Sequence, residues 1–234
     1  MRKLIVITGG SKGIGRAIIE KFAANGFDVA TCARNKNELD ELQSDIGRRF
    51  AAQVFTHVAD VSLKENVQAF ASFVGQLGRR VDVLVNNAGY FVPGEISTEP
   101  EGALEKMMDA NLFSAYHLTR GLVHKMKDAG AGHIFNMCSI ASIKAYANGG
   151  SYAITKFALL GFSRCLREEL KTTGIRVTSV LPGATRTRSW DGVDLPDDRF
   201  MTSEDIAELV YTCHAISPRS VVEELLVRPQ LGDI

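Results

Sequence analysis

Short apolar runs rich in valine and isoleucine recur along the 234-residue chain, separated by longer stretches of helical period. Those at 4–8, 28–32, 53–58, 81–85, 133–137, 176–181 and 224–227 read as seven strands. Most are apolar throughout rather than alternating, the pattern of strands covered on both faces. Between them the spacing predicts helices near 13–25, 36–49, 63–78, 101–127, 151–172 and 203–215. Strand–helix alternation implies a parallel sheet, because each return needs a long right-handed crossover. The expected fold is α/β, one Rossmann domain over 1–234: a doubly wound, seven-stranded parallel sheet with helices on both faces. A ligand of such a sheet lies beyond the carboxyl ends of its strands.

With 45% hydrophobic and 23% charged residues, the chain fits one soluble globular domain. Formal net charge is +0 and no basic run interleaves with aromatics, so neither nucleic acid nor an anionic membrane is an expected partner. The apolar run after Lys3 is shorter than the ~7–15 residues of a secretory signal. Cys32, Cys138, Cys165 and Cys213 are scattered without a CxxC, and read as buried thiols of a cytoplasmic protein. Cys213-His214 and the pair His117/His124 lack a third ligand, so no metal is expected.

Directly after the first strand comes Thr8-Gly9-Gly10-Ser11-Lys12-Gly13-Ile14-Gly15. Glycines at 9, 13 and 15 permit a tight turn and close approach of backbone to ligand, and the helix that follows aims free N–H groups at it. A pyrophosphate suits that place. The Gly-Lys-Ser/Thr ending of a nucleoside-triphosphatase loop is absent. Further on, Tyr152 and Lys156 stand four apart at the start of a helix and share a face. A positive neighbour favours the phenolate and lowers a tyrosine pKa from ~10, as an acid or base useful near neutrality requires. Alone, such a pair arises often by chance.

Its company is more specific. Gly9-x3-Gly13-x-Gly15, Asp60-Val61, Asn86-Asn87-Ala88-Gly89, Asn111, Ser139, Tyr152 with Lys156, and Pro182-Gly183 with Thr187 follow one another at the expected ends of strands. In this order, nearly end to end, the chain resembles the short-chain dehydrogenase/reductase family in its single-domain branch. The resemblance implies a nicotinamide-dependent oxidoreductase that interconverts a small carbonyl compound and its alcohol. Tyr152 would be the general acid and base, Ser139 would polarise the carbonyl, Lys156 would lower the tyrosine pKa and grip the ribose, and Asn111 would hold a relay water. Gly9, Ser11, Lys12, Gly13, Ile14 and Gly15 would cradle the cofactor. Asp60 and Val61 would meet its adenine, and Asn87, Ala88 and Gly89 would lie along it. Pro182, Gly183, Thr185 and Thr187 would hold its nicotinamide end. Asn86 would tie the central strands together.

The end of the second strand indicates which nicotinamide. A carboxylate there would bind the adenosine ribose and repel a 2′-phosphate. This chain has Ala33-Arg34-Asn35, and Lys12 adds a cation from the glycine turn. Asp28 comes too early to supply the carboxylate. NADP(H) is therefore the expected cofactor, with Arg34 as a phosphate ligand.

The polar segment 188–202 is expected to form a small mobile lid without a clear helix. Trp190, Tyr90, Phe91 and Tyr146 are candidates for the pocket wall, and Arg186 or Arg188 for one substrate carboxylate. The ending at 222–230 is more similar to sepiapterin-reductase-like and hydroxy-acid dehydrogenase relatives than to 3-oxoacyl carrier-protein reductases, which remain the runner-up. An NADPH-binding sensor or scaffold is the alternative outside enzymes. Helices near 112–127 and 151–172 carry apolar residues on more than one side, and the resemblance makes them a homodimer or homotetramer interface.

Overall fold

The computed structural model describes residues 2–187, 190 and 192–234. Its strands are β1 (Lys3–Thr8), β2 (Phe27–Ala33), β3 (Val54–Val58), β4 (Val83–Asn86), β5 (Gly132–Met137), β6 (Ile175–Pro182) and β7 (Glu224–Val227). They form one parallel sheet in the order β3-β2-β1-β4-β5-β6-β7. The winding reverses between β1 and β4, where Ile5, Val6 and Ile7 lie in register with Val83, Leu84 and Val85. That reversal opens a crevice at the carboxyl ends of these two strands.

The helices are α1 (Gly13–Ala24), α2 (Lys36–Phe50), α3 (Lys64–Gln76), α4 (Ala103–Met108), α5 (Ser114–Asp128), α6 (Gly150–Leu170) and α7 (Ser203–Ala215). Alternate strand residues serve opposite cores. Ile5, Ile7, Val83 and Val85 pack with Ile18 and Phe22 of α1 and Ile206 and Val210 of α7. Leu4, Val6 and Leu84 pack with Phe70 and Val74 of α3 and Leu118 and Leu122 of α5. Burial on both faces explains why Leu4–Ile7 and Val83–Val85 are apolar without alternation. Each such side chain contributes about 1.5–3 kcal/mol.

Three expectations need correction. The helix predicted over 101–127 is broken: a π-turn, Asp109–Phe113, separates α4 from α5. The extra residue turns Asn111 inward, where it is 1% exposed and bonds the backbone of Tyr90. Cys165 is exposed on the outer side of α6, whereas Cys32, Cys138 and Cys213 are buried. In the supposed lid, residues 197–199 make a short 3-10 turn. Met201 is also tied back, donating to Ala184 O (2.9 Å) and accepting from Arg186 N (2.9 Å). Arg188 and Asp191 lie outside the described residues.

Candidate active site

The crevice begins at the glycine turn. Gly13 opens α1 with φ +54°, a left-handed conformation that favours glycine. Lys12, at the cap position, bonds no amide of α1 with its side chain, so the helix presents its positive end to the crevice. A Cβ on Gly15 would stand 2.3 Å from Gly9 O and force the turn apart. Asn87 Nδ2 clamps the turn to the end of β4 by donating to Thr8 O (2.9 Å) and Gly9 O (3.2 Å). A cleft of about 970 Å³ extends from here. Its wall brings together Gly9, Ser11, Lys12, Gly13, Ile14, Gly15, Arg34, Asp60, Val61, Asn87, Ala88, Gly89 and Thr187. The size, the helix end and the cations fit a dinucleotide.

Pro182, Gly183 and Thr185, at the end of β6, stand off that wall. Gly183 N pairs with Val227 O (2.8 Å) and Thr185 Oγ1 donates to Gly183 O (3.1 Å). Burial would raise the Asp60 pKa, but hydrogen bonds from Ser62 and the nearby Arg34 outweigh it and hold the carboxyl below its usual range.

One wall residue escaped the sequence reading. Glu38, in the first turn of α2, forms an ion pair with Lys12 and accepts from Ser11 Oγ (3.1 Å). Lys12 is thus not a cation held ready for a ligand, as expected, but is engaged by a carboxylate. The Asn-x-x-Glu pattern of 35–38, an N-terminal capping signal, was the clue to a fixed glutamate here.

A polar cluster lies at the ends of β4 and β5. Ser139 leaves β5 in extended conformation; its N–H donates to Ser142 Oγ (3.2 Å) and its Oγ accepts from Ala141 N (3.1 Å). Ser142 thus braces Ser139. The Ser139 hydroxyl lies near enough to the Tyr152 phenol to favour its ionised form. One turn along α6, Lys156 is 6% exposed, donates to Met137 O (2.8 Å) and lies 5.7 Å from the Tyr152 ring centre. Burial lowers the Lys156 ammonium to about 8.

Tyr152 shifts opposite to expectation. Burial raises its pKa, the nearby Ser139 hydroxyl opposes this, and Cys138 adds to the rise. A buried ammonium whose own charge is disfavoured does not overcome the desolvation of the phenol.

Asn111 accepts from Tyr90 N (2.9 Å) and donates to Tyr90 O (3.0 Å) and Thr155 Oγ1 (3.0 Å). Both amide protons are engaged, so the side chain could meet a water only as an acceptor, through Oδ1. A Cβ on Gly89 would meet Asn111 Oδ1 at 2.8 Å and Lys156 Nζ at 3.7 Å. Since Gly89 also lines the cleft, the cleft and the cluster meet there. Phe91 packs edge-on against Tyr152 at 4.8 Å. Burial, then the neighbouring Tyr152, pushes Tyr146 up to about 12. Tyr90 lines the cleft, whereas Trp190 packs on Phe200 at 5.1 Å.

Residues 3–196 match the family model described as short chain dehydrogenase. The chain is 33% identical over 244 residues to a sepiapterin reductase of Chlorobaculum tepidum, covering 100% of this chain and 99% of that protein. An alcohol dehydrogenase of Thermococcus sibiricus, solved with 5-hydroxy-NADP, superposes with a TM-score of 0.91 at 29% identity over 97% of both chains. L-Sorbose reductase of Gluconobacter frateurii, solved with NADPH and L-sorbose, gives 0.90 at 30% identity over 97% of this chain and 95% of that one.

Proposed function

The chain belongs to the short-chain dehydrogenase family, an oxidoreductase family, and on that premise we propose that it reduces a small ketone or aldehyde with NADPH, or runs the reverse reaction. The observation that carries the proposal is the meeting at Gly89 of a dinucleotide-sized cleft with Asn111 and Lys156, next to Tyr152 and Ser139. The chemistry that the cofactor supplies when bound is a hydride for the carbonyl carbon.

The protein's part is to orient the carbonyl and manage its proton. With its pKa raised, Tyr152 stays protonated and can donate to the carbonyl oxygen as negative charge develops there. Ser139, braced by Ser142, supplies a hydrogen bond to the same oxygen. Lys156, fixed on Met137 O, provides positive charge close to Tyr152 and a grip for a ribose hydroxyl. Asn111 positions rather than reacts, locking the backbone of Tyr90 beside Gly89.

Arg34, exposed on the cleft wall after an alanine at the end of β2, favours a 2′-phosphate. Asp28 takes no part there: it pairs with Arg79 (2.8 Å) and accepts from Gln53 N (2.8 Å). The rings of Phe91 and Tyr146 beside Tyr152 favour a carbonyl carried on an apolar or aromatic body. Phe113, Tyr116, Ile154 and Phe157 expose apolar surface on the π-turn, α5 and α6, which supports pairing of two copies of the chain there.

Consumption of NADPH over a panel of aldehydes, ketones and diketones tests the reading. Tyr152→Phe should lose at least ~100-fold in turnover while still binding NADPH. Arg34→Asp should shift preference toward NADH. Tight NADPH binding with no carbonyl reduced would favour a sensor, and unchanged turnover in Tyr152→Phe would remove the acid–base assignment.

A further inference from the structure

At the adenosine end of the cleft a carboxylate stands among the cations. Asn35 caps α2, its Oδ1 accepting from the N–H groups of Asn37 (2.9 Å) and Glu38 (3.3 Å). This cap fixes the backbone of Glu38 in the first turn, and the side chain reaches across to the glycine turn. One carboxylate oxygen takes the Lys12 ammonium and the other the Ser11 hydroxyl at 3.1 Å. Ser11 is buried, and the side chains of Lys12 and Glu38 are only 35% and 25% exposed, so the ion pair is partly sheltered from water. Arg34 lines the same cleft.

A hydroxyl and an ammonium that converge on one point are what a phosphate would engage. Here a carboxylate holds both. We propose that Glu38 is a specificity-determining residue: an internal anion that competes with the adenosine 2′-phosphate of NADPH for Lys12 and Ser11. The inference rests on the NADP reading of this cleft. A 2′-phosphate must either draw Lys12 away from Glu38 or sit beside a like charge, and repulsion in a sheltered cleft is stronger than in bulk water. NADH carries only a hydroxyl at that carbon and leaves the ion pair intact. Glu38 therefore weighs on one cofactor alone, and narrows the NADPH preference that Arg34 creates.

Calorimetric titration of NADPH, NADH and adenosine 2′,5′-bisphosphate tests this without turnover. Glu38→Gln keeps the size of the side chain and removes its charge. It should tighten NADPH and the bisphosphate roughly 3–10-fold and leave NADH within about twofold. Glu38→Asp keeps the charge and should gain less than Glu38→Gln; an equal gain would point to shape and overturn the proposal. Thermal melts of both variants check that the fold is kept. If wild-type protein binds NADPH and the NADPH-to-NADH ratio stays fixed in Glu38→Gln, or falls, Glu38 has no such part while the cofactor reading stands. If wild-type protein binds neither dinucleotide, the cofactor reading fails and takes this inference with it.

Discussion

Lys156 donates to Met137 O at 2.8 Å from a position 6% exposed, and this burial lowers its pKa to about 8. Tyr152, raised instead, stays protonated through the neutral range. The first group to lose its proton as pH rises is therefore the lysine rather than the tyrosine. If its charge supports the reaction, kcat/KM for carbonyl reduction should fall as pH rises through about 8. Lys156→Ala should lose most activity together with that limb. A basic limb near ~10 in wild type, where an unperturbed tyrosine titrates, would contradict the assignment. The pairing of Tyr152 with Lys156 was legible because a spacing of four on a helix fixes a shared face. The sign of the tyrosine shift was not, because it depends on burial beside Phe91 and Tyr146 and on the charge of Cys138, which spacing does not bring together.

The helix that carries both groups begins without a cap of its own. No side chain at Gly149 bonds the first turn of α6. Glu99, from the loop before α4, takes that part: its carboxylate accepts from Ser151 N (2.9 Å) and from the Ser151 hydroxyl. The same loop is held at Gly94, whose N–H donates to Asn148 O (3.1 Å). Tyr152 is the next residue along, so the cap sets where the phenol stands. Glu99→Ala should cost about 0.5–2 kcal/mol, the scale of a lost helix cap. In a protein of this size, each kcal/mol lowers Tm by roughly 2–4 °C. Turnover should fall as well, and Glu99→Gln, which keeps an acceptor oxygen, should recover most of both. A Glu99→Ala protein that melts and turns over like wild type would show the contact to be idle. Strands β1 and β4 were legible because burial on both faces leaves their middles, Leu4–Ile7 and Val83–Val85, continuously apolar. The break between α4 and α5 was not, since Met107, Ala110, Asn111, Ser114 and Leu118 all face inward and the helical period runs through it. Its anchor is the contact of Asn111 with Tyr90, 21 residues away.

Alternation of strands and helices announced a doubly wound sheet, yet the placing of β1 against β4 is settled only by packing across the molecule. The same packing buries groups that no local pattern marks as sensitive. His133 of β5 is fully buried; its Nε2 bonds Thr178 Oγ1 (2.8 Å), and its Nδ1 has no partner among the described residues. His214 of α7 lies 5.8 Å away, packed against Phe22 and Phe27. Arg176 stands between these elements and donates to Cys213 O (3.3 Å) and His214 O (2.7 Å). Burial first, then the charge of Arg176, pushes both imidazoles down, His133 well below its usual value and His214 to about 4 with Lys3 contributing. Both are neutral when folded, whereas in the unfolded chain they take up protons below ~6.5. Their contribution to stability is complete above that pH and is lost as pH falls from ~6.5 toward 4. Melting temperature should therefore drop across this window, before most carboxylates titrate. His214→Phe keeps an aromatic ring against Phe22 and Phe27 and cannot be protonated, so its melting curve should be flatter from pH ~6.5 to ~4.5. Parallel curves for wild type and variant would show that the acid sensitivity arises elsewhere.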